Sequence, residues 1–583
     1  MLAVFAPSPT AVDGAADSLR AAIIQANQNS QNDTIELAAG VYRLSLENPN
    51  GQENATRSGD LDFSEINFTV TIQGQGIGKT IISQSVVDRV LQVMPGVTLV
   101  VNDLTIRGGI ATDDGSDGVL PTSPRGQRVA SGGGLWVAGT LRLHRVAIEA
   151  NEALGSDLDA GGGGLFAAPQ SQIQLDHVDF AGNVSASSGG GLMTRSAEMF
   201  VQNSTFTGNI AARYGGAIRL TGNNDASLVA TTFTSNSAVL GGGAIYNDGV
   251  TVAITAATIA SNETDGDGGG IYNRFGALTI RQSTLAHNRA QSDGGGLFQF
   301  DATTRLINST VSGNVAIGNG GGIRDVDSGS TLTHATVALN VAAQGGGLFS
   351  DGTSTATLNN SLVLGNGTDL VTASPTAGRN NLVGDPSSSG GLDPALQSEN
   401  VLGRDDGFGG RVPLPFSTVL KPLDFYGGVT QTHALVNRVD NPAIGAARRS
   451  LAVDNFGNVL TSDQRGSVFV REAEAFGDTD LDIGAYELQS LSTNRFVVTT
   501  LDDEWDADAL VSDPSDLSLR EAIDLANASI GIDRIEFDPS LTLGVIELSL
   551  GELVIRDDLE LVGLGASRLS IDGKGDSRLF TID

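Results

Sequence analysis

The sequence predicts an all-β chain, a right-handed parallel β-helix wound from coils of about 26 residues and closed at its first end by a short helix. Three observations predict it. Runs of glycine ending in leucine or isoleucine recur at Leu135, Leu165, Leu192, Ile218, Ile245, Ile271, Leu297, Ile323 and Leu348, and their spacing settles at 25 to 27 residues. An asparagine ladder keeps the same step at Asn151, Asn183, Asn209, Asn236, Asn262, Asn288, Asn314, Asn340 and Asn366. Three and eight residues before each asparagine lie two unbroken apolar columns, Ile148 to Val363 and Leu143 to Leu358.

Each element of the coil follows from these ladders. Small residues such as Ser204, Ala257 and Ser283 separate the two apolar columns, and short segments alternating with period two are strands. One coil cannot bury its own apolar face, whereas coils stacked in register pair every strand and share a continuous core. The asparagines mark a fixed turn. There, stacked amides can hydrogen-bond to the next coil about 4.8 Å away, and asparagine tolerates left-handed backbone.

Along the chain, residues 1–33 read as a cap segment. Asp17 to Asn29 forms an amphipathic helix with Leu19, Ile23 and Ala26 on one face and an acidic residue capping its start. Such a helix plugs the open end of a solenoid, which otherwise exposes unpaired strand edges. Residues 34–131 form irregular first coils and a protruding polar loop from Thr112 to Ser131, and residues 132–379 form the regular coils. Residues 380–493 form a closing segment carrying Asp-Gln-Arg-Gly at Asp463–Gly466 and Asp-Ile-Gly-Ala-Tyr-Glu at Asp482–Glu487. At 494–583 the pattern starts afresh. SLREAIDLAN at Ser518–Asn527 echoes SLRAAIIQAN at Ser18–Asn27, and Val562–Ile582 parallels Ile72–Val93. The reading is the start of a second β-helix within a longer tandem protein.

Composition narrows the function. The 67 acidic against 34 basic residues give a formal charge of −33, which repels phosphate backbones and anionic membrane surfaces, so nucleic acid is not an expected partner. Without cysteine there is no disulfide, thiolate metal site or cysteine nucleophile. No apolar run reaches the roughly 18 residues of a membrane-spanning helix. The opening MLAVFAPSPT lacks the basic start of a signal peptide, so any export signal is expected outside this chain.

The SLREA and DIGAYE strings, together with the repeats, resemble bacterial exported proteins that carry a CSLREA domain, a right-handed β-helix and a choice-of-anchor Q segment. The glycine repeats alone are also similar to polymorphic outer-membrane proteins and pectate-lyase-like enzymes. The resemblance implies a secreted or cell-surface bacterial protein. It departs at the family's leading cysteine, which is Asp17 in the first copy and Leu517 in the second. The disulfide often expected there is absent, and packing alone is expected to hold the cap.

Chemistry has two candidate locations. The column following the glycine ladder reads Trp136, Phe166, Met193, Arg219, Tyr246, Tyr272, Phe298, Arg324 and Phe349. Arginine cannot line a dry core without a partner, so this column is expected to face outward. It is either a ligand-binding stripe suited to a polysaccharide or a set of mutually stacked rings shielding the sheet. Beside it lie Asp248, Asp301, Asp325, Asp327 and Asp351, of which Asp325, Asp327 and Asp351 are the candidate acids and bases of a hydrolase, and Arg324 the base or subsite clamp of a lyase. Asp478, Asp480 and Asp482 are candidate calcium ligands in a string off the EF-hand spacing, and calcium is the one cofactor the sequence offers. Asp502, Asp503, Asp506 and Asp508 form another acidic cluster, read as a solvated loop. The five histidines, His144, His177, His287, His334 and His433, share no column and show no zinc spacing. Two functions stand: a non-enzymatic rod for adhesion, matrix or glycan contact, favoured by the regularity from Gly189 to Asn366, and a polysaccharide lyase or glycoside hydrolase.

Overall fold

The computed structural model describes residues 3–582 except 49–53, 114–129, 223, 393–398, 439, 472–480, 490–494, 506–515, 529–532, 557–558, 567 and 576–577. Most of the expected Thr112–Ser131 loop therefore lies outside the described residues.

One coil shows how the repeat works. The turn Gly268-Gly269-Gly270 leads into a strand at Ile271–Arg274, a second at Ala277–Arg281, a third at Thr284–Ala286 and a short fourth at Arg289–Ala290. Each pairs in parallel with its counterpart on the next coil, Leu297–Phe300, Thr303–Ile307, Thr310–Ser312 and Val315–Ala316. The corners between strands are left-handed residues, Phe275, Gln282 and His287 in this coil. Among the described residues stacking produces a wide sheet, a 12-stranded sheet and an 8-stranded sheet around one elongated core, a parallel β-helix as the ladders predict.

The core consists of the three apolar ladders. Leu135 to Leu348 and both columns before the asparagines are buried throughout. Phe180, Phe206 and Phe233 stack on successive coils, with centroids 4.5 and 5.0 Å apart. The asparagine ladder is also wholly buried. From Asn183 onward each Oδ1 accepts from the backbone N–H and the Nδ2 of the asparagine one coil earlier, while Asn151 Oδ1 accepts from Gly109 N–H; for Asn288 the bonds from Asn262 are 3.0 and 2.9 Å. Each Nδ2 also donates to a carbonyl one coil back, such as Asn288 to Ile259 at 2.8 Å. Left-handed backbone does not explain the asparagines. The residue with positive φ is the one before, Ala150, Gly182, Gly208, Ser235, Ser261, His287, Gly313, Leu339 or Gly365. Asparagine is selected for its paired donor and acceptor, not for its φ. The small residues between the apolar columns have a related role: Ser283 Oγ accepts from Ala257 N–H at 3.0 Å and donates to Arg281 O at 2.6 Å.

The glycine runs have two steric causes. Gly294 has φ +67°, and a carbon added to it would stand 2.6 Å from Phe298 Cβ. At Gly269 the added carbon would meet Gly295 O at 2.3 Å.

At the first end, helix α1 (Leu19–Ala26) buries Leu19, Ile23 and Ala26 in the main core. Its cap is Ser18, whose side chain accepts from Ala21 N–H, and not the acidic residue. Packing is not alone in holding the cap. Buried Arg20 pairs with Asp13 at 2.8 Å and donates to Gly59 O and Asp60 O, while Asp13 accepts from Ser45 and Leu46 N–H. Helix α2 (Leu519–Ala528) repeats this arrangement: Arg520 pairs with Asp503 at 2.8 Å, and Asp503 accepts from Ser549 and Leu550 N–H. Asp503, read as part of a solvated loop, is thus the ion-pair partner of the second helix.

Parallel pairing continues past residue 379 to Val401–Leu402. The chain then turns back along the outside of the rod. Val419, Leu435, Ile483 and Leu488 pack on the outward residues Ala338, Leu362, Leu364 and Leu382. Polar contacts carry this flank down to Arg281, which pairs with Asp454 at 2.8 Å. The strings Asp463–Gly466 and Asp482–Glu487 meet here. Arg465 binds Asp463 at 2.7 Å, donates to Glu487 O, and lies between the Phe469 and Tyr486 rings, 3.9 and 3.8 Å from their centroids. Arg471 pairs with Glu487 at 2.9 Å and reaches Asn308 on the rod.

Candidate functional site

The column after the glycine ladder stands outside the main core, as expected, but it is not an open stripe. Met193 is fully covered, and Phe166, Arg219, Tyr246, Phe298 and Arg324 are each less than a tenth exposed; Trp136, Tyr272 and Phe349 are half-buried. The rings cover one another, with Tyr214, Tyr246, Tyr272 and Phe298 in a continuous stack at 4.4, 5.0 and 4.7 Å. The side chains also fold back over the glycine turns, which leave room for no side chain of their own. Arg219 donates to Ser188 Oγ at 3.2 Å and to Leu158 O.

The candidate acids do not converge. Asp325 points inward and is fully buried, accepting from Gln299 Nε2 at 2.6 Å and Ser330 Oγ at 3.1 Å. Burial, ahead of these hydrogen bonds, pushes its carboxyl up to about 6. It ends a buried polar ladder in which Asn247 donates to Asn273 and Thr304 donates to Gln299. Asp327 and Asp301 occupy an exposed left-handed corner, and Asp327 accepts from Thr353 N–H at 3.0 Å. Asp351 and Asp293 hold Arg324 at 2.6 and 3.2 Å, and the Arg324 guanidinium lies 4.7 Å from the Phe349 centroid. Asp248 and Asp351 share a column but are separated by the coils of Arg274, Phe300 and Val326, about 19 Å at sheet spacing.

Among the calcium candidates, Asp478 and Asp480 lie outside the described residues. Asp482 is buried and accepts from Gly445 N–H at 2.8 Å and Leu488 N–H at 2.6 Å, so backbone donors occupy both of its oxygens. His177 and His334 do share a column, the left-handed corner six residues before a ladder asparagine.

An accessible concavity that the sequence did not announce runs along the outer face of the wide sheet. Gln172, Gln174, Glu198, Phe200, Asp225, Ser227, Thr251 and Ala253 line one part. Asn102, Arg142, His144, Asp176 and Gln202 continue it, sharing Gln174 and Phe200. Phe200, 41% exposed, stands at its centre with amides and carboxylates on either side. The only sequence signal for it is an aromatic at an outward strand position.

Residues 203–221 and 230–248 match the Chlamydia polymorphic membrane protein repeat; each match holds a core phenylalanine, a ladder asparagine and a glycine run. No curated protein matches the chain. Among solved structures, pectate lyase Pel9A is 11% identical over 83% of this chain and 96% of its own, with a TM-score of 0.30. The A-modules of the Azotobacter vinelandii mannuronan C-5 epimerases AlgE6 and AlgE4 are each 12% identical over 63% of this chain and 93% of their own, with TM-scores of 0.28 and 0.26.

Proposed function

We propose that this chain is the body of an exported bacterial surface or matrix protein, a rigid β-helix rod that contacts a glycan through the trough around Phe200. The repeat match supports a bacterial surface location. The observation that carries the reading is the contrast between two faces. The carboxylates and arginines best suited to acid–base chemistry are engaged in ladders, ion pairs and corners, whereas the trough offers an open aromatic ring flanked by Gln174, Gln172, Ser227 and Gln202. Sugar rings stack on aromatic faces while their hydroxyls pair with amides. Glu198 and Asp225 in the trough, within a chain of net charge −33, favour neutral polymers over polyuronates.

The test is a polysaccharide array probed with the full chain, scoring both retention and release of reducing or unsaturated ends. Retention on neutral polymers that falls at least tenfold in Phe200→Ala is expected. Released ends that disappear in Asp351→Ala would replace the reading with a lyase or hydrolase, and retention that ignores Phe200 would remove the trough from it.

A further inference from the structure

At one end of the trough the corner geometry assembles an unusual set of side chains. His144 and Asp176 are register partners on neighbouring coils. His177 follows Asp176 with φ +53°, and Arg145 follows His144 with φ +50°. In an extended strand consecutive side chains point to opposite faces. The left-handed corner breaks that alternation, so Asp176 and His177 both project to solvent on the same edge as His144. As a result Asp176 Oδ2 lies 3.0 Å from His144 Nδ1, and Asp176 Oδ1 lies 2.8 Å from His177 Nδ1. The two imidazoles meet edge to face with centroids 5.7 Å apart, and all three potential ligand atoms fall within 4.8 Å of one another. Asn203 Nδ2 donates to Asp176 Oδ1 at 3.1 Å and orients the carboxylate from the following coil.

We propose that His144, Asp176 and His177 form a binding site for a divalent transition-metal ion of the zinc type, with water completing its coordination. Two imidazole nitrogens and one carboxylate suit zinc, copper or nickel, whereas calcium and magnesium require sets dominated by oxygen. Metal–nitrogen bonds of about 2.0–2.1 Å in a tetrahedral site set neighbouring ligand atoms roughly 3.3 Å apart, so the two His–Asp contacts at 3.0 and 2.8 Å must open slightly and the rest of the 4.8 Å span must shorten, shifts that partly exposed side chains can make. The ion would add a side-chain link between two coils already joined by their backbone ladder.

Arg145 gives the proposal a sharper consequence. Its guanidinium makes a double contact with Asp103 at 2.6 and 2.8 Å and also lies against His144 Nε2. An imidazole that binds metal through Nδ1 carries its proton on Nε2 and can no longer accept from Arg145. Arg145 therefore opposes the metal through both its charge and its hydrogen bond, and removing it should tighten binding.

The test titrates the full chain with zinc chloride by calorimetry in the presence of excess calcium, and with copper(II) by electron paramagnetic resonance. One zinc per chain is expected. Affinity should fall at least tenfold in His144→Ala, His177→Ala and Asp176→Asn, stay unchanged in His287→Ala, and rise in Arg145→Gln. The copper spectrum should show coupling to two nitrogens. Zinc uptake equal to wild type in the His144→Ala/His177→Ala double variant, uptake abolished by calcium, or a copper spectrum without nitrogen coupling would overturn the site. The substituted side chains are partly or fully exposed, so circular dichroism should report an intact fold in every variant. The proposal does not depend on glycan binding at the trough.

Discussion

Replacing Asn288 by alanine tests the central claim about the repeat. Asn288 Oδ1 accepts from the backbone N–H of Asn262 and from its Nδ2, while its own Nδ2 donates to Ile259 O and Asn314 Oδ1. Alanine leaves the buried Asn262 N–H with no partner. Asn262 Nδ2 retains Phe233 O and Ala260 O, and Asn314 Oδ1 retains the Asn288 N–H. One orphaned backbone donor costs about 1–3 kcal/mol, and the lost bond to Ile259 O adds about 1 kcal/mol, so the loss should be about 2–4 kcal/mol. Because this coil contacts only the adjoining coils and, through Arg281 and Thr284, the flank segment, the loss should stay local. Native-state hydrogen exchange is therefore the assay. The Asn262 amide should exchange about 30- to 1000-fold faster, protection should fall in the adjoining coils, and coils near Leu135 should be unaffected. The neighbouring exposed Arg289→Ala serves as control, with an effect within about 0.5 kcal/mol. Unchanged exchange at Asn262 in Asn288→Ala would refute the ladder as the device that satisfies these buried groups.

Three other expectations follow from the same contacts. The raised carboxyl of Asp325, at about 6 against about 3.9 when unfolded, means that the folded rod takes up its proton more readily; stability should rise as pH falls from about 6 to 4, and Asp325→Asn should remove that slope and stabilise the rod at pH 7.5 by about 3 kcal/mol, read from urea midpoints across pH 4–8. Arg465→Lys keeps the charge but loses the double contact with Asp463 and the stacking between Phe469 and Tyr486, so limited proteolysis should release the flank segment first, with a loss of about 3–5 kcal/mol. Gly294→Ala introduces both an unfavourable φ and an overlap with Phe298 Cβ, and a melting curve should show a loss of about 2–4 kcal/mol, whereas Ala at exposed Arg289 should show none.

The repeat was legible because every residue in it is restated about 26 residues later, so Phe206 and Phe233 or Asn236 and Asn262 identify each other without knowledge of the rest of the chain. The flank segment was not legible in this way. Gln464 donates to Thr284 Oγ1 and accepts from Thr310 Oγ1, each more than 150 residues away and never repeated, so the Asp-Gln-Arg-Gly string announced itself without its partner. Alternation correctly placed Arg219 and Arg324 outside the core, but alternation says nothing about what lies above the sheet, and neighbouring rings and turns cover most of that column. Asp325 misled for the opposite reason: an inward position two residues after the glycine ladder is apolar in early coils, as at Val137 and Leu220, and polar in later ones, as at Asn273 and Gln299. His144, Asp176 and His177 escaped notice because only a left-handed corner brings consecutive residues to one side.

The turned-back flank divides the rod into a half that can grow and a half that cannot. Arg281, Thr284, Asn308, Thr310, His334 and Asn360 each grip a particular partner between Gln431 and Gly484, so adding or deleting a coil among them would misalign every grip beyond it. Between Gly189 and Asn262 the described residues of the flank impose no such register. A duplicated coil there would find the same amide, glycine and phenylalanine waiting above and below, and would lengthen the bare face by one strand spacing, about 4.8 Å. Reach is therefore adjustable by unequal duplication in the first half alone, and related chains of different length should differ there while keeping the coil number under the flank constant.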